Sequence, residues 1–291
     1  MDAFSDGNRR ATERALGPEQ AESLLALSAE AGWNQVAADW RFMLAEGSGV
    51  GMADSAGTWI ASALSLPLAP QLSWLSMVLT AKTWRGRGIG THLLRRCIDA
   101  VRGRGATAGL DATELGRPVY LPLGFRDLYT LRRWHLEKTP EAAAAPAGIR
   151  LRRIAASDIL AVAAYDAPRS AMERGAILAH LQSRAPYLAF VAEAGDEIVG
   201  FVFGREGRIA HHIGPIVAED EEIALALAAQ ASIAASPPFI VDAPERHAGM
   251  RRWLEASGAV TPRGFTRMVL GETHGLEANE RIFAISGPEL G

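Results

Sequence analysis

Along residues 91–104 the apolar side chains fall at Leu93, Leu94, Cys97, Ile98 and Val101, the three- and four-residue spacing that lines one side of a helix. Ahead of that helix, three runs at Ser48–Asp54, 58–66 and Leu72–Thr80 alternate or are continuously apolar. Gly and Pro separate them, which predicts an antiparallel meander. Residues 14–27 read as a short strand, a polar cap and an apolar-faced helix, and residues 152–165 repeat that order. Gly195-Asp196, between apolar runs at 187–193 and 198–205, repeats the hairpin signal. The halves are joined by residues 137–147, which hold no large apolar side chain and carry Pro140 and Pro146. The pattern predicts a mixed α/β fold in two copies, residues 1–138 and 149–291, with a linker at 139–148.

Composition narrows the function classes. The 291 residues, 48% hydrophobic and 22% charged, can build two cores and do not describe a disordered chain. A net charge of −3 supplies no general basic face for nucleic acid. Cys97 is the sole cysteine, which excludes a disulfide framework and any multi-cysteine metal site. His211 and His212 are adjacent in a predicted strand and point to opposite faces, so no metal is expected. No apolar run approaches the roughly 18 residues of a membrane span, and the first residues carry no apolar signal core. A cytoplasmic protein without membrane or nucleic-acid partners is expected, with self-association left open.

The run Arg85-Gly-Arg-Gly-Ile-Gly90 lies between the strand ending at Thr80 and the predicted helix. Glycines let the backbone turn tightly and approach a ligand, and the head of a helix offers unpaired N–H groups and partial positive charge. Two arginines suit this turn to a diphosphate. The spacing is neither the Gly-x-Gly-x-x-Gly dinucleotide fingerprint nor a phosphate loop ending in Gly-Lys-Ser/Thr. At the equivalent place in the second half the chain reads Gly214-Pro-Ile-Val-Ala-Glu-Asp-Glu-Glu222, where four acids replace the glycines and arginines. Phosphate is not expected there.

Three features in order resemble the GNAT superfamily of N-acetyltransferases: Ser76-Met-Val-Leu-Thr80, the glycine run, and Tyr120-Leu-Pro-Leu-Gly-Phe125. The combination of Ala31-Gly-Trp-Asn34, Leu110-Asp-Ala-Thr113 and Gly116-Arg-Pro-Val-Tyr120 is similar to bacterial tandem GNAT proteins whose second unit is divergent. The resemblance implies acetyl-CoA as co-substrate. Val78, Leu79 and Thr80 would meet its pantetheine arm, Arg85, Gly86, Arg87, Gly88, Ile89, Gly90 and Thr91 its diphosphate, and Tyr120 the neighbourhood of its sulfur. Thr113 stands where many members carry an asparagine. Trp33, Asn34 and Trp40 fall on the helical pair that resembles the variable acceptor wall.

The implied reaction is acetylation of a primary amine, on a small molecule or a peptide, by direct attack in a ternary complex. Tyr120 is expected to protonate the departing thiolate, since a phenol with pKa near 10 can serve a thiol with pKa near 8.5. The strand at 71–80 has no Asp, Glu or His to accept the amine's proton; Asp111, two residues before Thr113 and so on the same strand face, is the candidate base, directly or through water, or else a hydrogen-bonded strand-end carboxylate. The rival expectation is a non-catalytic acyl-CoA-binding or regulatory module whose second domain contacts a partner.

Overall fold

The runs read as strands at 48–54 and 72–80 form over those same residues, the first paired on both sides by neighbouring strands and the second burying most of its large apolar side chains. The computed structural model describes residues 3–6, 9–278 and 280–291. Contacts divide them into two compact units, one ending at Leu110 and the other running over Asp111–Gly291.

The first unit contains β1 (Ala3–Asp6), β2 (Arg9–Leu16), α1 (Ala21–Glu30), α2 (Ala37–Glu46), β3 (Ser48–Asp54), β4 (Trp59–Ala69), β5 (Leu72–Thr80), α3 (Ile89–Gly103) and most of β6 (Thr107–Thr113). The strands lie in sequence order, antiparallel from β1 through β5, with β6 parallel to β5. Leu93, Leu94, Cys97, Ile98 and Val101 of α3 are all buried, as their spacing predicts. Burial pushes the Cys97 thiol up to about 12, so it packs as a small apolar group.

In the second unit come α4 (Arg117–Tyr120), β7 (Arg126–Leu136), β8 (Ile149–Arg153), α5 (Ile159–Ser170), α6 (Gly175–Arg184), β9 (Phe190–Ala194), β10 (Glu197–Arg205) and β11 (His211–Ala218). They are followed by α7 (Glu221–Ile233), β12 (Phe239–Pro244), α8 (Ala248–Ala256), β13 (Val260–Leu270) and β14 (Ile282–Ala284). The strand order is β13-β7-β12-β11-β10-β9-β8, with β14 on β11. Apolar residues of α7, among them Ile223, Leu227 and Ala231, pack with Val202, Ile216 and Phe239 in the core.

Strand β7 precedes the linker in sequence, yet it sits between β13 and β12. Arg133 on β7 makes a buried two-pronged pair with Asp242 on β12, Nε to Oδ1 at 2.7 Å and Nη2 to Oδ2 at 2.6 Å. The compact division therefore falls before β7, whereas the composition shift that marks the linker falls after it. The linker itself is irregular chain fixed on α8, where Trp253 Nε1 donates to the Glu141 carbonyl at 3.0 Å.

Residues 282–291 are almost all buried and form a plug. Parallel pairing of β11 with β12 covers only His211–Phe239 and His212–Ile240. Further along, β14 pairs with β11, and Ile285 N–H donates to the Asp242 carbonyl of β12 at 2.9 Å. The second unit thus fills the gap between these two strands with its own backbone.

Candidate active site

Beside the glycine loop, β5 is not a regular strand. Its pairing with β4 slips between Ser62 and Leu64, so Met77 and Val78 together face one residue of β4. Met77 sits at φ 51, and Ser62 Oγ donates to its carbonyl at 2.7 Å. A left-handed L-residue is strained by roughly 1–2 kcal/mol and persists only where neighbours hold it. Pairing with β6 covers Leu72–Trp74 against Thr107–Gly109. It ends where the Trp74 ring packs so closely on Gly109 that a Cβ there would lie 2.5 Å from it. Beyond that point β5 continues to Thr80, with Val78 and Thr80 half-buried and Leu79 buried.

The chain then makes one 3-10 turn, Lys82–Trp84, and enters the loop. Gly86 and Gly88 have φ of 76 and 75, and a Cβ on either would point into open space. The α3 ladder opens with His92 N–H donating to the Gly88 carbonyl at 2.9 Å, so the N–H groups of Ile89, Gly90 and Thr91 precede it. Arg85 Nε donates to the Thr80 carbonyl at 3.0 Å, which ties its exposed side chain to the strand end. The Arg87 guanidinium lies 5.2 Å over the Trp84 ring. His92 Nε2 is 2.6 Å from Glu13 Oε2, and Arg96 Nε donates to Glu13 Oε1 at 3.0 Å. The cradle is therefore a turn, a helix head and two arginines, with no carboxylate among residues 81–98. These features fit a diphosphate.

The corresponding helix head in the second unit is closed. Asp220 Oδ1 accepts the Ile223 N–H at 2.9 Å, and Glu221 Oε1 accepts the Met250 N–H at 2.9 Å. Asp220 thus caps α7, while Glu221 takes an N–H from the first turn of α8 and adds negative charge at the head of α7.

Around Tyr120 the second unit builds a separate small cluster. A Cβ at Gly116 would lie 2.9 Å from the Tyr120 ring and 3.1 Å from its hydroxyl, so only glycine lets the ring lie there. Phe125 backs the ring at a centroid distance of 6.0 Å. Burial pushes the Tyr120 hydroxyl up to about 12. Thr113 Oγ1 accepts the Gly116 N–H at 3.1 Å and its carbonyl accepts the same group at 2.9 Å, so Thr113 shapes the turn that starts α4.

Two expectations need correction. Asp111 is no free base: Arg267 on β13 donates to both its oxygens, Nε to Oδ1 at 2.9 Å and Nη2 to Oδ2 at 2.8 Å, and both side chains are fully buried. Burial raises the Asp111 carboxyl and the guanidinium opposes that shift, but geometry decides the role, because an amine cannot reach a carboxylate sealed in this way. Trp40 belongs to no acceptor wall. It is fully buried and its Nε1 donates to Ser28 Oγ between α2 and α1 at 3.1 Å. Asn34 is also buried, while Trp33 is half-buried.

Asp111→Ala strands a buried guanidinium, and breaking such a pair costs about 3–5 kcal/mol. Its thermal midpoint should drop by roughly 10 °C. The double variant Asp111→Leu, Arg267→Met should regain most of that loss and keep whatever activity the unsubstituted protein has. A double variant that is stable and inactive would restore Asp111 to the chemistry.

Two family models match the chain, Acetyltransferase (GNAT) family over residues 19–125 and Acetyltransferase (GNAT) domain over residues 162–284. The chain belongs to the GNAT acetyltransferases. It is an acyltransferase with one GNAT domain in each half. It is 21% identical over 244 residues to YitH of Bacillus subtilis, an uncharacterized N-acetyltransferase, covering 84% of this chain and 86% of that protein. In fold it is similar to a proposed acetyltransferase from Pyrococcus horikoshii, with a TM-score of 0.79, 19% identity, and coverage of 100% of this chain and 98% of that one. It is also similar in fold to a tandem GNAT protein from the clavulanic acid biosynthesis pathway, with a TM-score of 0.63, 14% identity, and coverage of 90% and 99%.

Within this GNAT frame, sequence reasoning gave no role of their own to Met77, Gly116 and Arg267. Nothing in Gln71-Leu-Ser-Trp-Leu-Ser-Met77 marks the bulge. Gly116 could have been found from the turn signal between Thr113 and Pro118, and Arg267 from being a lone charge in the apolar run Phe265–Leu270.

Proposed function

We propose that the first GNAT half transfers the acetyl group of acetyl-CoA to a primary amine of a small molecule or peptide, by direct attack in a ternary complex. The observation that carries this reading is the contrast between the two helix heads. One opens on left-handed glycines and arginines, and the other is capped by Asp220 within a run of four acids, 219–222. Acetyl-CoA supplies an activated thioester. Residues 85–91 would hold its diphosphate, and Val78, Leu79 and Thr80 its pantetheine arm. Tyr120 keeps its proton at neutral pH and is the acid for the departing thiolate. Thr113 serves the turn that positions α4, and Trp33 remains the acceptor-wall residue with exposed surface. The functional division is placed at the linker, 139–148, with the second half closed to acetyl-CoA and the protein working in the cytoplasm. No described helix is long and apolar enough to cross a membrane.

The sealed state of Asp111 is the one observation that favours the rival reading, an acyl-CoA-binding module without catalysis. Mass spectrometry of the protein incubated with acetyl-CoA and a metabolite extract separates the two. An acetylated amine appearing together with free coenzyme A is the expected result. Binding of acetyl-CoA with no product from the extract or from a broad amine panel would favour the module.

A further inference from the structure

A groove of about 580 Å³ lies in the second unit, of a size suited to a small organic molecule. Its lining includes Arg117 of α4, Asp127 and Tyr129 of β7, Thr266 of β13, and Arg246 just after β12. The charges in it are unevenly matched. Arg117 is held by Asp127 through Nε at 3.1 and 3.0 Å and Nη2 at 2.5 Å. Glu245, next to Arg246 in sequence, is taken by Thr130 Oγ1 at 2.6 Å and by Arg132 Nε at 2.8 Å. Arg246 has no acidic partner among the described residues, and its one hydrogen bond, from Nη1 to the Glu277 carbonyl, is long at 3.4 Å. Two arginines against one aspartate leave the groove with a single net positive charge.

That charge is positioned. The Arg246 guanidinium lies over the Tyr129 ring, 4.1 Å from its centroid, and Arg267 lies 5.5 Å from the same centroid. Stacking on an aromatic face fixes the plane of a guanidinium and leaves its edge donors available. A planar guanidinium presenting two parallel donors matches a carboxylate. Within the second unit, Arg117 of the groove stands one helical turn before Tyr120 on α4.

We infer that Arg246 anchors a carboxylate of the acceptor, so that the acceptor class is an amine that also carries a carboxylate, an amino acid or the C-terminal end of a peptide. This inference rests on the proposed acetyltransferase reading and narrows it. The test uses two matched pairs: phenylalanine against 2-phenylethylamine, and alanyl-alanine against alanyl-alanine amide. Coenzyme A release should favour the carboxylated member by at least tenfold in kcat/KM, and the pair with the larger preference tells a free amino acid from a peptide end. Arg246→Ala should abolish the preference by slowing only the carboxylated member, and Arg246→Lys should restore it in part. Equal handling by the wild-type protein, or a preference that survives Arg246→Ala, overturns the inference.

A second measurement, independent of turnover, is NMR-detected binding of N-acetylphenylalanine to the protein with coenzyme A present. The expected result is at least tenfold weaker binding to Arg246→Ala. If no amine is acetylated but this binding and its Arg246 dependence are seen, the carboxylate site stands and the acetyltransferase reading falls. If the probe does not bind, or binds the variant equally, the site falls.

Discussion

Tyr120→Phe is expected to lower kcat about a hundredfold, at the low end of what a positioned general acid supplies. The hydroxyl, held near 12 by burial, is the only part lost. The ring still lies over Gly116 and against Phe125, so fold and acetyl-CoA affinity should stay within twofold of the wild type. A raised pKa means that the phenol keeps its proton through the neutral and mildly alkaline range. Wild-type kcat should therefore show no loss attributable to Tyr120 until the pH nears 12. Stopped assays of coenzyme A release across pH 6.5–10 check both statements. A variant within threefold of the wild-type kcat would make Tyr120 a packing residue and place thiolate protonation elsewhere.

The Gly86→Ala, Gly88→Ala double variant is expected to weaken acetyl-CoA binding by thirtyfold or more. Both positions have φ near 75, where an L-residue is strained by roughly 1–2 kcal/mol. The loop is exposed, so the free protein can relax by leaving that conformation. Binding must then restore it, and the strain counts against affinity, about 2 kcal/mol or more, which corresponds to about thirtyfold. Because a Cβ at either position meets open space, the core is untouched and the thermal midpoint should barely move. Fluorescence or calorimetric titration reads the affinity directly. An unchanged Kd would remove the loop from the site.

Much of this was legible in the letters because it depends on local chemistry. Helix α3 announces itself through the spacing of Leu93, Leu94, Cys97, Ile98 and Val101, and the loop through glycines that only a left-handed turn requires. The capping of the second helix head was readable from Asp220, since acids belong at a helix N-terminus. What could not be read depends on partners distant in sequence. Asp111 looks like a base until Arg267 is known to face it, and Trp40 looks like a pocket wall until Ser28 is found against its indole nitrogen. The departure of β7 from its own half leaves no local mark either: its sequence is that of any half-buried strand, and only pairing with β12 and β13 decides where it lies. The Met77 bulge arises from a register slip between two strands and has no single-residue signature.

The central claim is that one diphosphate cradle, at the head of α3, serves the whole chain. Isothermal titration of the full-length protein with acetyl-CoA tests it most directly, run beside the Gly86→Ala, Gly88→Ala variant and an Asp220→Ala, Glu221→Ala variant. One molecule bound per chain is expected, weakened by the glycine substitutions and unaffected in number by loss of the two acids. Two molecules per chain, or one whose affinity ignores the glycines, would contradict the account.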